Sequence, residues 1–248
     1  MVPTRAGQAL LDRFERIRII SLPSRNDRRR DVVRQLRRLG LQIDGDRIAF
    51  HDATRPAEPG GFPTIGARGC FLSHLEVLED ALQAGARTVL IMEDDADLVR
   101  DVETHLPPML EDLARREWSI FYGGYHWPDA PPSSTAMLLQ AEPSTGLQNA
   151  HFMAFTRKGA ERAVAFLRQV LTRPPGDPDG GPMHVDGAYS WLRRVHPELT
   201  TWLALPEIAF QRRSRTDIHE GALFYDRVPG LRMVAGIARK LVGRRRGG

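Results

Sequence analysis

Four apolar residues, Val89–Met92, run straight into Glu93, Asp94, Asp95 and Asp97. A short apolar run closed by charge on both sides is the pattern of a strand buried on both faces, which in practice means a sheet covered by helices. The flanking segments agree. Ile17–Leu22 reads as a buried, β-branched strand, followed by a helix that Asn26 or Asp27 caps and Gly40 stops. Arg47–Ala53 reads as a strand, Thr54–Gly66 as a Pro/Gly-rich loop, and Ala67–Gly85 as a helix with Phe71, Leu75, Leu78 and Leu82 on one face. Beyond the acidic cluster come a helix around His105–Glu117, strands at Trp118–Gly124 and Gln148–Thr156, and a helix at Arg157–Leu171. A polar loop at Thr172–Pro182, a short helix at His184–Val195 and one extended segment at Thr200–Gln211 complete the pattern. Strand and helix alternate, so the expected class is α/β with a mostly parallel central sheet flanked by helices. In such sheets ligands bind beyond the carboxyl ends of the strands, where the four acids sit.

Composition narrows the function classes. The 248 residues suit one large α/β domain, and 42% hydrophobic with 27% charged residues is ordinary for a soluble protein. The formal charge is +4, and Lys158 and Lys240 are the only lysines, so the basic character is arginine's. Arginine suits a phosphate-rich ligand or surface, and no nucleic-acid motif accompanies it. The single cysteine, Cys70, excludes an intrachain disulfide. No leader or membrane-spanning run is expected, which places the protein in the cytoplasm. From Leu231 to Leu241 apolar residues recur at helical spacing ahead of a basic end. This tail reads equally as a peripheral helix on an anionic membrane face or as a terminal helix docked on the body.

Crowded carboxylates need a compensating cation, and oxygen ligands favour Mg²⁺ or Mn²⁺. If the strand continues past Met92, Glu93 and Asp95 share a face and Asp94 points away. The alternative is an acidic helix start stabilised by the helix dipole. Asp186, just before "GAYSWL", is open to two readings as well: a helix N-cap or a general base. Cys70 reads as a small core residue. Trp127 serves either as a stacking platform for a sugar or as a loop anchor.

The segment "GARGCFLSHLEVLEDALQAGARTVLIMEDDADL", with "IISLPSRNDRR", "IAFHDATRP", "HVDGAYS" and "RRSRTDIHE" in the same order, resembles glycosyltransferase family 25 over roughly residues 15–220. That family includes bacterial lipopolysaccharide galactosyltransferases. The resemblance implies a GT-A-like domain at 15–222 with a basic C-terminal tail at 223–248. It implies hexose transfer, with galactose the family expectation, from a UDP-sugar to a lipopolysaccharide or related glycan, with inversion. It assigns Mn²⁺ or Mg²⁺ to Glu93 and Asp95, with His219 as third ligand, and the acceptor's proton to Asp186. Leu22, Pro23, Arg25, Arg28, Arg68, Ser73, His74, Asp94 and Asn149 are the implied nucleotide-sugar contacts, with His151 beside Asn149 at the donor side. Two places depart from the family pattern. Met183 and His184 stand where a first acid is usual before Asp186, and Arg215 and Thr216 separate Ser214 from Asp217.

Two competing functions remain on the residues alone. A strand ending in paired aspartates also fits a metal-dependent phosphotransferase or phosphatase, and a basic chain fits a non-catalytic binder of anionic ligands.

Overall fold

The computed structural model describes residues 2–127 and 135–212. The tail at 223–248, Asp217 and His219 lie outside the described residues, so the expectations placed on them have no structural counterpart here. The chain divides into compact units at 1–214 and 215–248, and every described residue belongs to the first.

The elements run α1 (Arg5–Arg13), β1 (Arg16–Ser21), α2 (Asn26–Arg38), β2 (Ile48–Asp52), α3 (Ile65–Gln83), β3 (Thr88–Glu93), β4 (Ala96–Leu98), α4 (Val102–Ala114), β5 (Ile120–His126), β6 (Leu138–Gln140), β7 (Gln148–Thr156), α5 (Arg157–Thr172), α6 (Val185–Val195), β8 (Thr201–Ala204) and β9 (Ala209–Gln211). Seven strands form one sheet in the order β2-β1-β3-β7-β5-β8-β6, while β4 and β9 pair separately. β1 runs parallel to β2 and β3, and β5 parallel to β8; β7 is antiparallel to β3 and β5, and β6 to β8. Five of the seven strands therefore point the same way.

Burial on both faces is visible residue by residue in β3. Val89 and Ile91 join an apolar cluster with Phe71, Leu78, Phe155, Leu167 and Tyr189, which belong to α3, β7, α5 and α6. Leu90 and Met92 join the opposite cluster, with Leu10, Val32, Leu36, Leu106 and Leu110 from α1, α2 and α4. Each such side chain contributes roughly 1.5–3 kcal/mol through removal from water.

The alternation carries on past the apolar run and aims the acids. Glu93, the last residue of β3, falls on the α3 side, and Asp94 in the turn beyond it meets Arg28 of α2. The antiparallel β7 brings its own beginning to the same sheet end: Met92 pairs with Phe152, so Asn149, Ala150 and His151 extend beside Glu93–Asp95.

Several boundaries differ from the sequence reading. α1 carries no strong apolar run; it is fixed by Thr4, whose side chain accepts from Gly7 N, and by burial of Ala6 and Leu10. α2 starts after Arg25 with no side-chain cap, not from a cap at Asn26 or Asp27. α3 starts at Ile65, two residues inside the expected loop, behind the N-cap Thr64, whose hydroxyl accepts from Ala67 N. α4 begins at Val102 and runs through Pro107 and Pro108, so the Pro pair does not mark its start. The expected single segment at Thr200–Gln211 is two strands, β8 in the main sheet and β9 in the small one.

Candidate active site

The carboxylates divide by partner, and this corrects the expectation that Asp94 stands apart from Asp95, while the charge of Glu93 still falls on Asp95. β3 ends at Glu93 and the chain turns at Asp94–Asp95, so strand alternation stops one residue too early to set the two apart. Asp94 and Asp95 instead share Arg28. Arg28 Nη1 donates to Asp94 Oδ1 at 2.7 Å and to Asp95 Oδ2 at 3.2 Å. Ser21 Oγ donates to Asp94 Oδ2 at 2.7 Å, so both Asp94 oxygens are occupied. Arg28, Asp94 and Asp95 are 8%, 5% and 3% exposed, which makes this a buried ion triad at the ends of β1 and β3. Asp97 leaves the cluster altogether: Arg212 Nε donates to its Oδ2 at 2.9 Å and Gln35 Nε2 to its Oδ1 at 3.1 Å.

Glu93 turns to α3. His74 Nε2 lies 3.3 Å from its Oε1, and Tyr189 Oη of α6 lies 3.2 Å from His74 Nδ1. Cys70 Sγ donates to the same Glu93 oxygen at 3.5 Å. Burial pushes the Glu93 carboxyl up, but the His74 hydrogen bond and the attraction to His74 outweigh it and hold the group below its ordinary range. The thiol moves the other way: burial, then Glu93, Asp186 and Asp95, push Cys70 well up. Cys70 is therefore a protonated neighbour of the acids and no thiolate nucleophile.

Asp186 of α6 lies close enough for its charge to add to the upward push on Cys70. The N-cap of α6 is His184, so Asp186 sits inside the first turn and the N-cap reading is corrected. Its Oδ1 accepts from Gly187 N at 2.8 Å and its Oδ2 from Asn149 N at 2.9 Å. Asn149 adopts φ 65°, which is uncommon for a residue other than glycine. That conformation is what directs the Asn149 amide at Asp186. Ser190 Oγ bonds both the amide and the carbonyl of Leu147, fixing α6 to the chain entering β7.

The remaining sequence candidates divide into supports and rim. Ser73 is fully buried; its hydroxyl donates to Gly69 O and accepts from Thr54 N, tying α3 to the loop after β2. Gly69 permits that approach, since a Cβ there would lie 2.4 Å from Thr54 O. The expected ligand contact at Ser73 is thus corrected to a tether, and that at fully buried His74 to a support for Glu93. Arg68 Nη1 donates to Glu58 O and holds the loop before α3. Leu22 and exposed Pro23 follow β1 at the site's rim, and Arg25 pairs with Asp27. Trp127 is partly buried against the core. Of the residues that sequence reasoning missed, Tyr189 carries no motif; it is found through its distance to His74.

His151 is 1% exposed, with Nε2 on Ala209 O at 3.2 Å and Nδ1 without a hydrogen-bond partner among the described residues. Burial holds its pKa below the ordinary histidine value, against the Ala209 bond and the Glu93 charge. The folded chain thus keeps His151 neutral while an unfolded one protonates it near pH ~6.5. Its contribution is complete above that pH and is lost as pH falls, with a limiting slope of about 1.4 kcal/mol per pH unit for one proton. Urea unfolding at pH 7.5 and pH 5 is expected to show a smaller loss for His151→Gln than for the parent chain.

A divalent ion fits one feature of the site. Asp95 Oδ1 is buried and has no hydrogen-bond partner among the described residues. Burial first, then the charge of Glu93, push the Asp95 carboxyl up to about 7, with Asp94 adding and Arg28 and a hydrogen bond from the Gln211 side chain opposing. One guanidinium does not neutralise three neighbouring carboxylates, and the orphaned oxygen is where a further positive charge is missing.

Comparison with known proteins places the β1 and β3 ends of the site, but not Asn149, Asp186 or Tyr189, within a family model. The family model described as glycosyltransferase family 25 (LPS biosynthesis protein) matches residues 14–142, just over half of the chain. A human relative, inactive glycosyltransferase 25 family member 3, is 27% identical over 180 residues, covering 65% of this chain and 29% of its own. Mouse procollagen galactosyltransferase 2 is 26% identical over 129 residues, covering 45% and 21%. The chain thus spans less than a third of the length of either relative. Among solved structures, a glycosyltransferase involved in glycosylation of the major capsid of PBCV-1 aligns with a TM-score of 0.47 at 13% identity, covering 80% of this chain and 95% of that one.

Proposed function

Since this chain belongs to glycosyltransferase family 25, we propose that it transfers a hexose, galactose by the family's precedent, from a UDP-sugar to a glycan acceptor of lipopolysaccharide type. The observation that carries the reading is that acids from separate elements act on one buried thiol: the charges of Glu93, Asp186 and Asp95 all fall on Cys70. The β3 end offers Glu93 and the orphaned oxygen of Asp95, and α6 offers Asp186 oriented by Asn149. An inverting transfer needs this division of labour, one group for the leaving diphosphate and one for the incoming hydroxyl.

Glu93 and Asp95 are the residues that would hold Mn²⁺ or Mg²⁺. Bound there, the ion would supply Lewis-acid stabilisation of charge on the departing nucleoside diphosphate. Arg28 holds Asp94 and Asp95 in place, and Ser21 fixes the second Asp94 oxygen. His74, backed by Tyr189, orients Glu93. Asp186 takes the acceptor's proton as its oxygen attacks the anomeric carbon. Arg25, the N-cap of α2 that pairs with Asp27, is the residue proposed to grip the diphosphate. The phosphatase reading loses support because Asp94 has both oxygens engaged. Among the described residues no helix is long and apolar enough to cross a membrane, and the contact with an anionic membrane is assigned to the tail.

The test is thermal unfolding with a panel of UDP-sugars and Mn²⁺. A ligand at about a hundred times its Kd stabilises the folded state by ~2.7 kcal/mol, which for a chain of this size raises Tm by roughly 5–10 °C. UDP-galactose is expected to give that rise and a chelator to abolish it. Indifference to every UDP-sugar in the presence of Mn²⁺ would overturn the proposal. A rise without turnover on any acceptor would place the chain with the non-catalytic binders.

A further inference from the structure

Cys70, His74 and Glu93 bring a sulfur, a nitrogen and an oxygen together, all within 4.8 Å of one another. The spacings of 3.5 Å from Cys70 Sγ and 3.3 Å from His74 Nε2 to Glu93 Oε1 are those of ligands on neighbouring corners of one coordination shell. Cys70 and His74 stand one turn apart on α3 and so share a face. Glu93 comes from the end of β3. Behind the imidazole, Tyr189 Oη sits 3.2 Å from Nδ1, as the outer partner of a metal-bound histidine does.

We propose that this triad is a second metal site, selective for a borderline-soft divalent ion such as Zn²⁺, and distinct from the hard-ion pair of Glu93 and Asp95. Thiolate and imidazole favour Zn²⁺ or Co²⁺ over Mg²⁺ and Mn²⁺. Three protein ligands leave a fourth position open to water. On binding, the Cys70 S–H bond breaks, its proton passes to solvent, and the sulfur's electron pair forms the bond to the ion. His74 binds through the Nε2 lone pair in the tautomer whose Nδ1–H donates to Tyr189 Oη. No group is oxidised or reduced. Because Glu93 belongs to both sets, an ion in the triad withdraws it from Asp95. That consequence rests on the proposed transferase reading; the triad itself does not.

Co²⁺ titration of the full chain is the test, and it needs neither donor nor acceptor. One equivalent is expected to give tetrahedral d–d bands and a near-ultraviolet thiolate charge-transfer band, and Zn²⁺ is expected to bleach both. With a single cysteine in the chain, that band reports Cys70 alone. Cys70→Ser should lose the band. Tyr189→Phe should keep it but weaken binding by about tenfold. A measurement on the unmodified protein guards against misfolded variants: stoichiometric Zn²⁺ should slow alkylation of Cys70 at least tenfold. A Co²⁺ spectrum without the thiolate band, or alkylation at an unchanged rate with Zn²⁺ present, overturns the site whether or not UDP-sugars bind.

Discussion

Arg28→Met is expected to destabilise the fold by about 3–5 kcal/mol, the usual consequence of removing one member of a buried ion cluster. The side chain is 8% exposed, and its Nη1 serves Asp94 and Asp95 together. Methionine fills much of the same space, so the loss is electrostatic rather than a cavity. Asp94 and Asp95 then face each other and Glu93 with no cation, and the folded state keeps a proton that the unfolded chain releases. The sign follows: with carboxyl pKa values raised by folding, the deficit is smallest at acid pH and grows as pH rises through neutrality. Arg28→Lys is expected to recover only part of it, because the ammonium keeps the charge but ends a differently shaped stem and does not reproduce the position of Nη1 between the two carboxylates. Mn²⁺ should stabilise Arg28→Met more than it stabilises the parent chain, since the ion then supplies the missing charge. Equilibrium urea unfolding at pH 6 and pH 8, with and without Mn²⁺, reads all three effects. A variant within ~1 kcal/mol of the parent at pH 8 would show that the triad does not hold the β1 and β3 ends together.

The same triad shows how far sequence reasoning reached. The strand was legible because Val89–Met92 is apolar on both faces, and the structure packs Val89 and Ile91 on one side and Leu90 and Met92 on the other. The acids were legible as a group but not in their pairing, because strand alternation holds only to Glu93 and the turn then folds Asp95 back toward Arg28. Arg28 was noticed as a phosphate contact; that it is 66 residues from Asp94 in sequence and 2.7 Å away in space is information only the β1–β3 pairing supplies. Strands β4 and β6 were missed, and β9 was not separated from β8, for a related reason. β4, β6 and β9 have three residues each, too few to show a period, and each is held by its partner rather than by its own pattern. Tyr189 was invisible because a tyrosine on an amphipathic helix normally packs in the core, and this one does so while also presenting its hydroxyl to His74.

Asp186→Asn is expected to lower kcat by about 10²–10⁴-fold while leaving donor KM within a few-fold, which is the signature of losing a general base rather than a binding group. Asparagine is nearly the same shape and retains one carbonyl oxygen, so one of the two backbone amides, Asn149 N or Gly187 N, keeps its acceptor. The other faces an NH₂ donor, and the stability loss should stay near ~1 kcal/mol, well below what would explain the fall in rate. The pH profile separates a base from a structural support. If Asp186 takes the acceptor's proton, the acid limb of kcat in the parent chain disappears in Asp186→Asn, whose residual rate no longer depends on that ionisation. Asn149→Ala probes the same carboxylate indirectly. The left-handed backbone at φ 65° suits asparagine better than alanine, so this change is expected to relax the strand entry and displace the amide that holds Asp186 Oδ2. Its effect should be a smaller fall in kcat with the acid limb preserved, because the base is misaimed but present. Turnover of Asp186→Asn within threefold of the parent would remove Asp186 from the chemistry and leave the β3 acids without the partner that an inverting transfer requires.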